Sequence, residues 1–517
     1  MGYGARCLGV LVCLVAPLAA PASASAQLAP LGVPAGVLRF EVDGVFDSWD
    51  KRFREGEKES LAAALTSPAL GSDLLPGLEP YDAILRRVTG LDDARLNLGS
   101  LTGDAQADVS AAVLGLAVGV TRAITVFGRL PLARARMQPA LELDPTGSNT
   151  GINPGTAAQE PFFGQFATAL TTLEQQLATG VYDGDPTRRA LAEQTLAQGD
   201  ALFTDLFTLL GDPATASPFL PTGASATGSA LGARVDALQA TLATDLDVGG
   251  FGADPALPAT PVTAEDVEAY TSDPFGPIGI QTDETEVTFR GDAEAGVAVT
   301  LADRWDRDNR RGGFRAAAEG LVRFPTGSRP RNDRVLAIGT GDGQTDVELR
   351  AVVDLGAGDL GVRLEGGYNR QLAGDVAELV APPSQPFAPQ SLLTTVRLDP
   401  GDVTTLAVRP FFRLARTFAL IGSLERWSRG EDAVEYRSPA DAIAGVDPQV
   451  LAQETEASAT LVSFGVTYSN PGGLRPGGSG LPVDAGWTYE RVLSASGGIV
   501  PDVHRIRARF RLYFDLW

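Results

Sequence analysis

His504 is the only histidine among the 517 residues, so a catalytic triad or a histidine-based metal centre would have to use it. It opens an alternating run and shares its parity with Ile506 and Ala508. That places it on an apolar face, at the edge of a lipid-contacting surface. The serines within reach in sequence, Ser494 and Ser496, end the preceding segment. A hydrolase built on one of them and His504 is therefore the third of three functional readings. Gly339 to Asp346 is dense in glycine and carboxylates and could offer oxygen ligands to calcium. It lacks the spacing and closing glutamate of an EF-hand, and no Lys-Ser or Lys-Thr follows it as a phosphate loop requires. A tight turn region without a metal is expected there. Cys7 and Cys13 both lie in the N-terminal apolar segment, so the exported chain has no thiol chemistry. No cofactor and no enzymatic activity are expected.

The richest chemistry is ionic. Charged residues recur on one parity of segments whose other parity is apolar: Arg39, Glu41 and Asp43; Arg290, Asp292 and Glu294; Arg315, Glu319 and Arg323; Asp346, Glu348 and Arg350; Arg363 and Glu365; Arg409 and Arg413; Asp484 and Glu490; Arg507, Arg509 and Arg511. Both signs are mixed. Such a set can fill a narrow interior with crossed ion pairs, or line a pore and set its selectivity.

The elements that must hold these charges are long strands. In the last stretch, Ile506, Ala508, Phe510, Leu512, Phe514 and Leu516 share one face, while Arg505, Arg507, Arg509, Arg511 and Asp515 share the other. Period-two alternation over this length is a strand signal. Apolar outside and charged inside is the pattern of a transmembrane β-barrel. The chain ends on Trp517, an aromatic terminus of the kind the barrel-assembly machinery reads, although Trp517 is one residue out of step with Phe514 and Leu516. Val37 to Phe46 repeats the pattern, with Leu38, Phe40, Val42 and Phe46 opposite Arg39, Glu41 and Asp43.

About twelve strands follow: 37–46, 107–120, 124–137, 286–302, 314–326, 344–355, 360–372, 402–413, 418–428, 455–468, 482–493 and 503–517. Tight turns at 121–123, 356–359 and 414–417 alternate with long connections at 50–106, 138–285, 327–343, 373–401 and 429–454. This is the asymmetry of a barrel with one exterior and one periplasmic rim. A short helix is expected at Glu57–Leu65 within the first long connection. Residues 138–285 read as a helical insert with three stripes: Phe162, Phe166, Leu170, Leu173 and Leu177; Leu196, Phe203, Leu206, Phe207 and Leu210; Leu231, Val235, Leu238, Leu242 and Leu246. The resulting division is a secretory signal at 1–26, first strands at 27–137, the insert at 138–285 and the remaining strands at 286–517. The signal rests on Arg6, the apolar Leu8–Leu18 and the small-x-small site Ala24-Ser25-Ala26.

Three stretches carry a resemblance: Arg323-Phe324-Pro325-Thr326-Gly327, Gly291 to Val297, and Ile338 to Glu348. They resemble the bacterial outer-membrane proteins of the meta-pathway phenol-degradation group, related in style to long-chain fatty-acid transporters. The resemblance covers mainly 286–372. It implies an outer-membrane barrel passing aromatic or other hydrophobic compounds.

The formal net charge of −22 argues against nucleic acid as a partner. The expected partners are outer-membrane lipid and lipopolysaccharide, the barrel-assembly machinery through the last strand, and a small-molecule solute. The leading functional reading is a passive channel or transporter. The runner-up is a structural or surface-interaction barrel with a closed lumen. If the ring closes, the first and last strands must pair, setting Arg507, Arg509 and Arg511 against Glu41 and Asp43 on one side and Asp484 and Glu490 on the other.

Overall fold

The computed structural model describes residues 32–273, 278–306, 312–415, 417–470 and 482–516. The signal segment, its cleavage site at Ala26 and Trp517 lie outside them. Twelve antiparallel strands close into a barrel. They are β1 (Val37–Trp49), β2 (Ser100–Gly119), β3 (Ile124–Asp144), β4 (in two halves, Thr285–Arg290 and Ala293–Asp306), β5 (Gly312–Phe324) and β6 (Asp346–Ala357). The ring continues through β7 (Leu360–Gln371), β8 (Val403–Arg413), β9 (Phe418–Arg429), β10 (Ala457–Asn470), β11 (Val483–Gly497) and β12 (His504–Asp515). Every neighbour pairs in chain order, and β12 returns to β1 with Val37 opposite Asp515 and Ser48 opposite His504. Closure leaves no unpaired strand edge, as a lipid environment requires.

Large apolar side chains project outward from every part of the ring. Leu116, Val126, Leu349, Leu406, Leu420, Phe464, Ile506 and Phe510 are all exposed. Such a continuous apolar exterior cannot face water and marks a membrane-spanning wall. β2 and β3 are longer than the belt needs. An apolar band about 25 Å tall takes roughly ten tilted residues, whereas these strands have 20 and 21. The outward face of β2 accordingly changes from Ala112, Leu114 and Leu116 to Asp104, Gln106, Asp108 and Ser110, and that of β3 from Leu130 and Leu132 to Arg134, Arg136 and Gln138. The hairpin therefore rises above the membrane on the side of the long connections.

The inner face of that raised hairpin is apolar. Ala105, Ala107 and Val109 of β2 and Ala135 and Met137 of β3 join one buried core with the long connections. Four helices of the insert contribute or border it: α2 (Thr156–Ala178), α3 (Pro186–Leu206), α4 (Ala226–Ala240) and α5 (Ala264–Ser272). Phe162, Phe166, Leu170 and Leu173 of α2 are buried there with Leu231, Val235 and Leu238 of α4. The helices thus share their hydrophobic interior with the barrel mouth. Leu177 and Phe203 are only partly buried, and Phe207 is exposed. α5 was not marked by an apolar stripe; it begins with a capping box, Thr263 and Asp266 bonding each other's backbone.

The first connection departs from expectation. Glu57–Leu65 is not one helix; only Ala63–Leu65 forms a single 3₁₀ turn. Glu57–Ser60 is a short strand paired with Lys51–Arg54, which also pairs with Ile499–Pro501. The turn between the strands is made by Glu55 and Gly56, both at positive φ, a conformation that stops a helix from passing through. The helix of this connection, α1 (Glu79–Thr89), lies further on. Pro80 reads as a breaker, yet in the first helical turn proline costs nothing, because that N–H has no intrahelical partner. Gly90 ends α1 at φ 71°, the left-handed C-cap.

At the opposite end, Val33 and Val37 are buried against Ala117, Phe127, Ala298 and Leu321. The backbone N–H of Val33 donates to Thr125 Oγ1 at 2.8 Å. Val33, just ahead of β1, is therefore buried at the short-turn end of the ring.

A charge placed on the outer belt should block assembly. Phe510→Arg and Leu406→Arg should each cost roughly 2–4 kcal/mol and lose the folded, fast-migrating gel band. A normal yield of that band would show that these faces do not meet lipid.

Candidate functional site

The lumen of the ring is the candidate site. Its side chains come from alternate positions of all twelve strands, because the pleat sends every second residue inward. The closing ladder sets the pattern. Across β1 and β12 the inward rungs that carry the β12 arginines are Glu41 opposite Arg511, Asp43 opposite Arg509, Val45 opposite Arg507 and Asp47 opposite Arg505. Arg509 grips Asp43 with two bonds of 2.6 and 2.8 Å, and Arg505 grips Asp47 with two of 2.8 Å. Arg511 Nε donates to Glu41 at 2.5 Å. Arg39 lies 3.5 Å from the same carboxylate.

The pairing continues around the wall. Arg505 also reaches Glu490 at 3.4 Å. Arg409 bridges Glu425 at 2.7 Å and Glu365 at 3.3 Å. Arg350 lies 2.6 Å from Glu348, 3.2 Å from Glu319 and 3.7 Å from Glu365. Arg129 lies 3.2 Å from Glu294, and Arg323 joins Glu294 at 3.0 Å and Asp346 at 2.6 Å. Nearer the short turns, Asp354 is held by Arg363 at 2.6 Å and Arg315 at 2.9 Å. Arg413 donates to the carbonyl of Gly358 at 2.6 Å. Asp484 accepts from Ser469 at 2.5 Å and from the Tyr513 hydroxyl.

These groups form a girdle of linked ion pairs several rungs deep along the inner wall. Arg350, Glu348, Glu319, Arg323 and Asp346 are all under 7% exposed, so little water reaches them. A row of ions can be buried this way only if each is paired and bonded.

Of the charges expected to line the lumen, Arg290 does not. It is exposed, lies opposite the outward Leu132, and donates to the carbonyl of Thr326 at 3.0 Å. The cause is one extra residue in β4. From Leu132 to Arg129 the partner strand advances three residues, while β4 advances four, from Arg290 to Glu294. The bulge at Gly291-Asp292 inverts the alternation, so Glu294 points inward and Arg290 outward. Asp292 sits at the break and accepts from the backbone of Gly327 at 2.8 Å. Asp47, Arg129, Asp354 and Glu425 also belong to the lumen although sequence reasoning did not assign them, and Arg505 lies there on the charged face that the alternation gave it.

His504 bonds through Nδ1 to the Tyr489 hydroxyl at 2.7 Å on the outer face. Ser496 instead meets Ser458 at 2.9 Å. Among the described residues no group of three or more metal-ligating side chains could hold an ion, Gly339–Asp346 included. That segment instead docks at the β4 break: Thr340 Oγ1 donates to the carbonyl of Arg290 at 2.9 Å. The Asp342 carboxyl is pushed up to about 6, first by burial and then by the charge of Asp346.

No protein-family model matches the chain, and no curated protein matches it. Solved structures similar to it are barrels. One is the COG4313 outer membrane channel from Pseudomonas putida F1, at 10% identity and a TM-score of 0.42, covering 94% of this chain and 100% of that one. Others are the CymD monoaromatic hydrocarbon channel, at 8% identity, TM-score 0.27 and coverage of 93% and 89%, and the transport unit of the autotransporter AIDA-I from Escherichia coli, at 7%, 0.31, 95% and 94%. The reading of a closed barrel rests on the strand pairing described above.

Two expectations follow. Asp43→Arg should strand two cations in the lumen and cost about 3–5 kcal/mol, lowering the temperature at which the folded band disappears, and adding Arg509→Asp should restore part of the loss. A double variant no more stable than the worse single one would refute the ladder. The second concerns pH. With its folded-state pKa raised from 3.8 to about 6, Asp342 binds more protons folded than unfolded, so its contribution declines as pH rises from about 4 to about 6 and stays low above that. Asp342→Asn should therefore raise that same temperature at pH 7 and flatten its change across this window.

Proposed function

We propose that this protein is a channel of the bacterial outer membrane that admits small, largely apolar molecules from the exterior. Its apolar belt meets lipid, and the raised β2–β3 hairpin reaches lipopolysaccharide. The observation that carries the reading is a cavity of about 190 Å³ at the long-loop mouth. Its wall is mostly apolar, with Leu61, Leu65, Val335, Leu336, Leu398 and Leu451 among its residues and Arg52 and Glu378 at its edge. An apolar hollow with a few polar groups is the usual form of a small-molecule site. The ion-pair girdle below the cavity is the closed section of the path.

The near-dry girdle also favours a second reading, a structural or surface-interaction barrel whose lumen stays shut. Proteoliposomes separate the two. Purified protein should speed entry of small apolar and weakly polar solutes while passing little ionic current, and Ala337→Trp, which fills the mouth cavity, should slow that entry severalfold. Solute entry no faster than in protein-free vesicles would exclude the channel and leave the structural barrel. Fractionation should recover the protein with outer membranes.

A further inference from the structure

Of the four β12 arginines that face inward across β1, three lie opposite a carboxylate and one does not. Arg507 lies opposite Val45 on β1 and Thr488 on β11. It is 6% exposed, and its Nε and Nη1 atoms are buried without a hydrogen-bond partner. No ion pair involves it among the described residues. The carboxylates nearest in register are already engaged: Asp43 by Arg509 at 2.6 Å, and Glu490 by Arg505 at 3.4 Å. A buried cation without a counter-ion is costly, and every other arginine of this ladder avoids that cost.

Arg507 also lines a cavity of about 100 Å³ inside the lumen. The wall across β1, β2 and β3 carries an apolar stretch of Val45, Val109, Ala111, Val113 and Ala133, while the rest of the lining includes Asp43, Asp47, Asp292 and Glu294 with Arg323 and Arg505. Asp43, Asp47 and Glu294 are held by Arg509, Arg505 and Arg323, and Asp292 accepts from the Gly327 backbone. An apolar cavity of roughly 150 Å³ holds benzene, so this one suits a body of two or three carbons.

We propose that this cavity binds a small organic carboxylate, its charged oxygens on the Arg507 guanidinium and its short hydrocarbon body against the valine–alanine wall. The guanidinium presents donors in a fork that matches a carboxylate. A neutral molecule of the same shape leaves the cation unpaired and is held less well. As a binding site this stands by itself; as the substrate class of the channel it rests on the function proposed above.

Propionate and its neutral isostere propionamide are the probes. Equilibrium dialysis of the detergent-purified barrel should show retention of propionate about tenfold stronger than that of propionamide, the worth of one charge-assisted hydrogen bond. Arg507→Gln should abolish the difference, and Arg507→Lys, which keeps the charge, should preserve part of it. The folded gel band of Arg507→Gln should persist to at least the wild-type temperature, because the substitution removes an uncompensated charge. Equal retention of both probes by the wild type, or an unchanged preference in Arg507→Gln, would overturn the site. Proteoliposome entry then tests the route separately. Faster entry of propionate than propionamide, lost in Arg507→Gln, supports the site as part of the path. Retention without entry of either solute keeps the site and refutes the channel.

Discussion

The structure depends on compensating charge inside a ring too narrow to hydrate it. Twelve strands bring inward side chains of neighbouring strands into contact in a narrow lumen, and the chain supplies them as arginines and carboxylates. Removing a single partner strands a buried ion, which costs about 3–5 kcal/mol. Register is therefore fixed twice over: by the apolar belt, which a one-residue slip would turn inward, and by the ladder Glu41–Arg511, Asp43–Arg509 and Asp47–Arg505. The girdle lies between two apolar seals, the mouth core around Val109, Ala135 and α2, and the floor of Val33, Phe127 and Leu321. Excluding water at both ends strengthens each ion pair between them.

The barrel was legible because its code is local. Alternation along the last strand names both faces, and the opposite signs of β1 and β12 anticipate their pairing. What sequence could not supply were features made by neighbours. The bulge at Gly291-Asp292 is invisible to a parity count, so Arg290 was placed on the wrong face. α1 hid behind Pro80, and the strand at Glu57–Ser60 was masked by residues that also suit a helix. The mouth core draws Leu61, Phe162, Leu231 and Leu336 together from connections far apart in the chain, and no single segment announces it. Closure was expected to give Arg507 an acidic neighbour, but register sets Val45 against it.

Glycine explains how the bulge is covered. A Cβ at Gly341 would fall 2.6 Å from the Asp292 carboxylate, and one at Gly327 would fall 2.7 Å from the backbone of Gly341. The connection between β5 and β6 packs against the break at backbone distance because both positions lack side chains. The carboxylate of Asp292 then bonds the Gly327 N–H, so the interruption in β4 is sealed by main chain.

The closing ladder also has a direction in time. Its acidic half, Glu41, Asp43 and Asp47, lies on β1 and is made before its arginine half, which lies on β12. Until that strand arrives, the inner row of β1 carries carboxylates whose partners on β12 are missing. On the other side of β12, Thr488 and Gly486 of β11 stand opposite Arg507 and Arg509 and carry no charge, so β11 cannot take the place of the arginines. Neutralisation of β1 thus waits for β12, and a copy without β12 has no equivalent way to seal.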